Sequence, residues 1–359
     1  MRRELGMAIA LFGMGLLLWL SNPDFLGHSN AMNTLRQISM LGILSTGIAF
    51  VIIGGGIDLS IGSMVGLTGV LIAKFSSEAM NGLGYSLWIG IPVGVGVALL
   101  IGLLQGLLIT KLQLQPFIVT LGGMLFLRGA SQTIAQGGTL SLGGSPLLEL
   151  ANGGFFSYHG DPLIPYPLVI FLGVIAVATY VLHYTVFGRY VYAIGGNRDA
   201  AEYSGINVKK IETITYVISA GLAGVSGVCY AAYIGQMSQQ VGVAYELYAI
   251  AAAVLGGCSL RGGEGTIFGI IIGSAIMRVI DNGINMFQWR YVDANGVPRL
   301  WRLDPNWTFI IIGAVILVAV TLDQVVHIVQ TNRRIRLAGS AAAGATAGPI
   351  EVGPAAKVG

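Results

Sequence analysis

Charge is scarce in this sequence. Of its 359 residues only 10% are Asp, Glu, Lys or Arg, while 54% are apolar; soluble domains carry about 25% charge. That balance excludes an ordinary soluble globular domain and makes a membrane the expected solvent. Cysteine is nearly absent as well. Cys229 and Cys258 both fall within apolar segments, which excludes a disulfide framework and leaves them as small core residues. The four histidines, His28, His159, His183 and His327, are scattered, with no H-E-x-x-H, no clustered Cys/His set and no G-x-S-x-G. The phosphate-cradling G-x-x-x-x-G-K-[ST] is also missing, so no ATP hydrolysis is assigned to this chain. The sequence is read as a non-enzyme without a cofactor or metal of its own and without a nucleic-acid partner.

Long apolar runs dominate what is present. They lie at about 7–21, 33–54, 61–75, 87–110, 117–136, 165–187, 211–234, 246–259, 264–287 and 307–327. Each is near the roughly 20 residues that cross a hydrocarbon core as a helix. Lipid offers no hydrogen-bond partner, so each crossing must satisfy its own backbone, and the runs lack the alternation of a membrane barrel. The expected fold is therefore all-α, a polytopic bundle of about ten transmembrane helices. The first run follows Met1, Arg2 and Arg3 but has no A-x-A-like cleavage site around Ser21, Asn22 and Pro23, so it is read as the first transmembrane helix.

Positive residues mark the cytoplasmic side. With Arg2 and Arg3 inside, ten crossings also place Lys111, Arg189, Arg198, Lys209, Lys210, Arg261, Arg333, Arg334 and Arg336 inside, and both termini are expected to be cytoplasmic. The tail from Ala338 onward is small-residue, low-complexity sequence that cannot bury enough surface to order itself. The organisation read is an N-terminal helix and outer loop (1–32), a first half (33–187), a cytoplasmic segment (188–210), a second half (211–327) and a disordered tail (328–359). Two sizeable outer loops, about 137–164 and 288–306, mix Gly, Pro and aromatics. Trp289, Tyr291, Trp301 and Trp307 suit a membrane-interface belt, with docking of an outer partner as the alternative.

Glycine is abundant, with 54 residues, many inside the spans, such as Gly94, Gly102, Gly106, Gly122 and Gly123. In lipid such small residues let helices approach closely. An internal echo also stands out: Gly55, Gly56, Leu59 and Gly62 recur as Gly256, Gly257, Leu260 and Gly263 in the pattern GGxxLxxG. Two glycine-broken junctions in corresponding places predict a duplicated half and point to a transport route between the repeats.

The most informative polar stretch is 188–210, GRYVYAIGGNRDAAEYSGINVKK. Asn197 suits a helix N-cap, Asp199 the positive first turn, and Gly205 the left-handed position beyond the end. The pattern predicts a short helix along the membrane whose face of Ala200, Ala201 and Ser204 fits a groove. Together with GGGIDLSIGS at 54–63 and ELYAIAAAVLGGCSLRGGEGTIFG at 246–269, this segment resembles the signature regions of ribose/xylose-type permeases of bacterial ABC sugar importers, relatives of branched-chain amino acid permeases.

The resemblance runs from about Asn30 to Asp323, with a longer 288–306 loop and an added Ala-rich tail as departures. It implies that Gly195, Gly196, Asn197, Ala200, Ala201, Ser204 and Gly205 couple to an ATPase subunit that binds ATP and Mg. It also implies an extracytoplasmic sugar-binding protein, a second permease chain forming a homodimer, and residence in the inner membrane among its lipids.

Polar residues within the spans are the remaining candidates, because an ionisable group at membrane depth is costly unless partnered or wetted. Asp58, Ser60 and Ser63 sit in the first glycine break, where Asp58 either caps the next helix or lines the pathway. Arg128 interrupts an apolar span. Arg278 and Asp281, three apart, share a helix face and suit a structural ion pair. Asn282 and Asn285, with Gln37 and Gln105 in other spans, offer uncharged hydrogen bonds to a hydroxyl-rich cargo or serve as interhelical glue. A monosaccharide importer permease is the function expected. The alternatives are a permease for amino acids or another small hydrophilic nutrient, and a secondary transporter, for which Asp58 and Asp281 are isolated.

Overall fold

A helix that is apolar on every side must be covered on every side, and Gln37–Ile53 carries no charge at all. In the computed structural model this stretch belongs to α2 (His28–Ile53), whose residues from Ser39 to Ile53 are all buried. The structure describes residues 2–77, 82–158, 161–293, 298–302, 304, 306–318, 320, 321, 324 and 325. Around α2 stand α7 (Tyr166–Thr179), α10 (Val208–Ile234), α11 (Tyr245–Leu255) and α12 (Ile267–Met286). On the far side of α10, α3 (Ile61–Ser76) packs between α4 (Leu87–Lys111) and α5 (Pro116–Ile134). The first helix, α1 (Arg2–Ser21), lies along α12.

Small residues set these approaches. A side chain at Gly102 would collide with the Tyr216 carbonyl and Ala220 of α10, and one at Gly106 with Thr213. The Thr110 and Thr213 hydroxyls share a 2.8 Å hydrogen bond beside that contact. Because lipid tails are as apolar as the side chains, close van der Waals contact and such bonds hold the pair together. Gly122, by contrast, faces open space.

Among the described residues, seven helices are long and apolar enough to cross a membrane, and three further apolar helices, Ile61–Ser76, Tyr245–Leu255 and Trp307–Val318 (α13), are shorter. The ten expected apolar elements are thus present in order, with Ile61–Ser76 and Tyr245–Leu255 shorter than a full crossing. For α11 the reason lies ahead of it. Residues 239–244 are wound as turns, not helix, with Gly242 and Ala244 at positive φ. This stretch and Met237 before it run along the Gly62, Gly66 and Gly69 face of α3, where a Cβ would meet Glu246 and the Gly242 carbonyl, the Val241 carbonyl and Met237 respectively. Non-helical backbone at membrane depth is tolerated when protein covers it.

The two long loops are more ordered than their composition suggests. The first contains α6 (Leu147–Asn152) and the hairpin of β2 (Gly154–Tyr158) with β3 (Asp161–Pro165), while β1 (Leu140–Ser141) pairs with β4 (Gln236–Met237) just past α10. The second pairs β5 (Gln288–Val292) with β6 (Pro298–Arg302), setting Trp289 opposite Trp301. Residues 1–315 form one compact unit. In the second, 316–359, the described residues are helical. The tail, 328–359, lies outside the described residues.

After Tyr166–Thr179 a π-turn (Tyr180–Tyr184) leads to α8 (Val186–Gly196) and α9 (Arg198–Tyr203). Both glycine junctions stop their helices with one pattern. Gly54, Gly55 and Gly56 donate to Phe50, Ile52 and Val51 carbonyls at 3.1, 2.9 and 2.9 Å. Gly256, Gly257 and Cys258 donate to Ala252, Val254 and Ala253 at 2.8, 2.9 and 2.9 Å. These are the bonds of a helix closed by a left-handed residue, here Gly55 (φ 86°) and Gly257 (φ 92°). The structural correspondence is therefore Gly55 with Gly257, one residue away from the sequence echo that set Gly56 against it.

Candidate functional site

The 188–210 segment folds as two short helices. Asn197 is extended and its Oδ1 accepts the Ala200 N–H at 2.9 Å, so it caps α9 as expected. Gly205, at φ 84°, follows the C-cap Ser204. Arg198 is clamped by Glu212, Nε to Oε1 at 2.9 Å, a bond that raises its pKa further and ties α9 to α10. One expectation needs correction. Ala201 points into the chain and is buried, so it does not share the free face with Ala200 and Ser204, which are exposed; Tyr203 is instead 92% exposed. A six-residue helix has too few faces to seat itself on the bundle and also offer three small residues outward.

The segment rests on both glycine junctions. Gly195 packs so tightly on the Ile53 carbonyl and the Gly263 amide that a Cβ there would overlap both. Gly263 N–H also donates to Ile53 O at 2.8 Å, and Tyr192 Oη donates to Gly265 O at 2.6 Å. The end of α2, the end of α8 and the α11–α12 loop therefore form one contact in which glycine lets three backbones meet. Beside it opens a cavity of about 520 Å³, lined by Gly55, Gln113, Gly196, Glu212, Tyr216 and Arg261 among others.

Beyond Tyr216 lies a buried carboxylate. Asp58 Oδ1 accepts the Ser60 N–H at 2.9 Å and the Ser60 hydroxyl at 2.7 Å, and Oδ2 accepts the Ser219 hydroxyl of α10 at 3.0 Å. The Ser60 hydroxyl has a second acceptor within reach, Gln105 Oε1 at 3.1 Å, to which it can turn its one proton. Asp58 thus fastens the start of α3 to α10 and, through Ser60, to α4. Ser63 is buried one turn on, and its hydroxyl has no partner.

The predicted pathway set is not brought together whole. Asp58 and Ser60 share a network, and Ser63 lies close to it. Asn282 pairs side chain to side chain with Asn30 of α2, at 2.8 and 3.1 Å, and Asn285 is exposed and bonds back to the Asp281 carbonyl. Both belong to the opposite end of α12 from its start at Ile267, and neither is bonded to Asp58 or Ser60. Arg278 and Asp281 pair at 3.1 Å, with Arg278 also donating to Tyr230 at 2.6 Å and lying over the Tyr248 ring. Ser219 and Glu246 escaped the sequence reading. Ser219 carries no signal in an apolar helix; Glu246, an acid within the matched segment 246–269, was the visible one. Among the described residues no group of three His, Cys, Asp or Glu could hold a metal.

The chain is 37% identical over 303 residues to the ribose import permease protein RbsC of Escherichia coli (strain K12), covering 84% of this chain and 88% of that one. It is 35% identical over 323 residues to RbsC of Bacillus subtilis (strain 168), covering 90% and 93%. Against the xylose transport system permease protein XylH of Haemophilus influenzae the figures are 31% over 357 residues, 83% and 90%. No solved structure matches. Residues 30–320 match the family described as branched-chain amino acid transport system / permease component. A multi-pass helical membrane protein that matches this family over most of its length, this chain belongs to it.

Proposed function

We propose that this chain is the membrane permease of an ATP-driven importer and carries a monosaccharide of the ribose or xylose kind across the inner membrane by alternating access. The observation that supports the mechanism is the shared contact of the 188–210 segment with both glycine junctions. A push on α9 reaches the ends of α2 and α8 and the loop before α12 through backbone packed on backbone, and such contacts transmit displacement because they cannot compress.

In this reading the α8–α9 side faces the cytoplasm with both termini, and Ala200, Ser204 and Tyr203 meet a separate ATPase that holds ATP and Mg. A substrate-binding protein delivers sugar to the hairpin side, and a second copy of this chain completes the path in the lipid bilayer. The similarity to ribose and xylose permeases supports the cargo; the family, described as branched-chain amino acid transport, keeps a branched-chain amino acid as the second reading.

The test is co-purification with the ATPase, followed by uptake into vesicles. Ala200→Arg with Ser204→Arg, both on the exposed face, is expected to abolish the complex while leaving the membrane fold intact. Uptake of labelled ribose and xylose that excess leucine does not reduce supports the sugar reading. Leucine uptake in place of sugar uptake overturns it.

A further inference from the structure

Arg128 and Glu246 are the pair that the coupling contact leaves unexplained. Arg128 lies inside α5 (Pro116–Ile134), in an apolar span, and Glu246 in the first turn of α11, directly after the unwound stretch. Their closest approach, Arg128 Nη2 to Glu246 Oε1, is 4.0 Å, beyond hydrogen-bond distance. The Glu246 side chain is 8% exposed and its Oε2 has no hydrogen-bond partner; Arg128 Nη2 is likewise buried without one. A purely structural pair in this setting closes to a short two-bond fork, because an unsatisfied buried charge is heavily penalised. Here a donor and an acceptor are held apart, side by side, with the partnerless Ser63 hydroxyl next to Gly62, which the carboxylate touches. The rest of the Arg128 side chain is reachable, being 31% exposed, and α5 is open beside it at Gly129.

We infer that Arg128 and Glu246 form a hydroxyl-binding pair on the translocation path that takes neighbouring hydroxyl groups of a polyhydroxylated cargo. The inference rests on the sugar reading above. A carboxylate accepts from hydroxyls and a guanidinium donates to their oxygens, so a diol that reaches Arg128 Nη2 with one oxygen and Glu246 Oε2 with a neighbouring hydroxyl satisfies both orphaned atoms at once. An amino acid side chain of the aliphatic kind offers neither group. The stretch 239–244, joined to α11 at Tyr245 just before Glu246, would move the acceptor relative to Arg128 as the junctions shift, which makes the site able to release what it holds.

The experiment uses the assembled permease, ATPase and binding protein in lipid vesicles, with labelled ribose as probe, and reads sugar delivered per ATP hydrolysed. Glu246→Gln is expected to lower that ratio about ten-fold, the loss of one charge-assisted hydrogen bond, with assembly and thermal midpoint unchanged. Should Glu246→Gln fail to assemble, the double variant Arg128→Gln with Glu246→Gln leaves no lone buried charge and is expected to assemble with the same low ratio. A wild-type ratio in either variant, or failure of both to assemble, overturns the pair as a cargo site while the sugar reading stands. A wild-type complex that moves leucine and no sugar removes both.

Discussion

The two glycine junctions end their helices identically and then diverge. After Gly56 the chain needs only four residues, Ile57 to Ser60, to begin α3, and it does so around a buried acid bonded to Ser60 and Ser219. After Cys258 it takes eight, 259–266, looping against Gly195 before Thr266 caps α12 through the Gly269 N–H at 3.0 Å. Both junctions touch the 188–210 segment at Gly195, but the first continues into the core at Asp58 and the second into the loop before α12. A shared stop signal fixes where a helix ends; the residues just past it decide what the end is attached to.

The most direct way to break this comparison is Gly195→Ala, at the point where both junctions meet. Its Cβ would overlap backbone on two sides, so a loss of about 3 kcal/mol, the upper end for overpacking, is expected in thermal unfolding in detergent. Gly196→Ala next to it, with nothing within 4 Å, should be near neutral.

The acids sharpen the contrast. Asp58→Asn removes charge from three hydrogen bonds in a buried site and should destabilise by about 2 kcal/mol. Glu264→Gln in the exposed second loop should stay within about 0.5 kcal/mol; equal losses would show that the junctions are not specialised.

Gly55→Ala tests the shared stop itself. A Cβ there meets nothing closer than 3.7 Å, so only the left-handed backbone is strained, by about 1–2 kcal/mol. Asn197→Ala is expected to cost about 1 kcal/mol for a lost cap, read as a weaker complex with the ATPase.

Much of α9 was legible because its signals are local: Asn197, Asp199 and Gly205 act within a turn of themselves. Ala201 was misassigned because which side of a short helix meets the bundle depends on α10, not on its own six residues. The echo was visible but aligned one residue out, since identity counts letters, whereas the helix stop is defined by which residue takes positive φ.

By itself the sequence determined the membrane class, the helical elements, the breaks between them and the capped segment, all of which follow from transfer energies and backbone preferences acting over a few residues. The tertiary structure alone decided that Asp58 meets Ser219, that Asn282 meets Asn30, and that Glu246 stops short of Arg128. Those contacts join residues far apart in the chain, and in lipid they are set by close packing of small residues, which composition does not reveal.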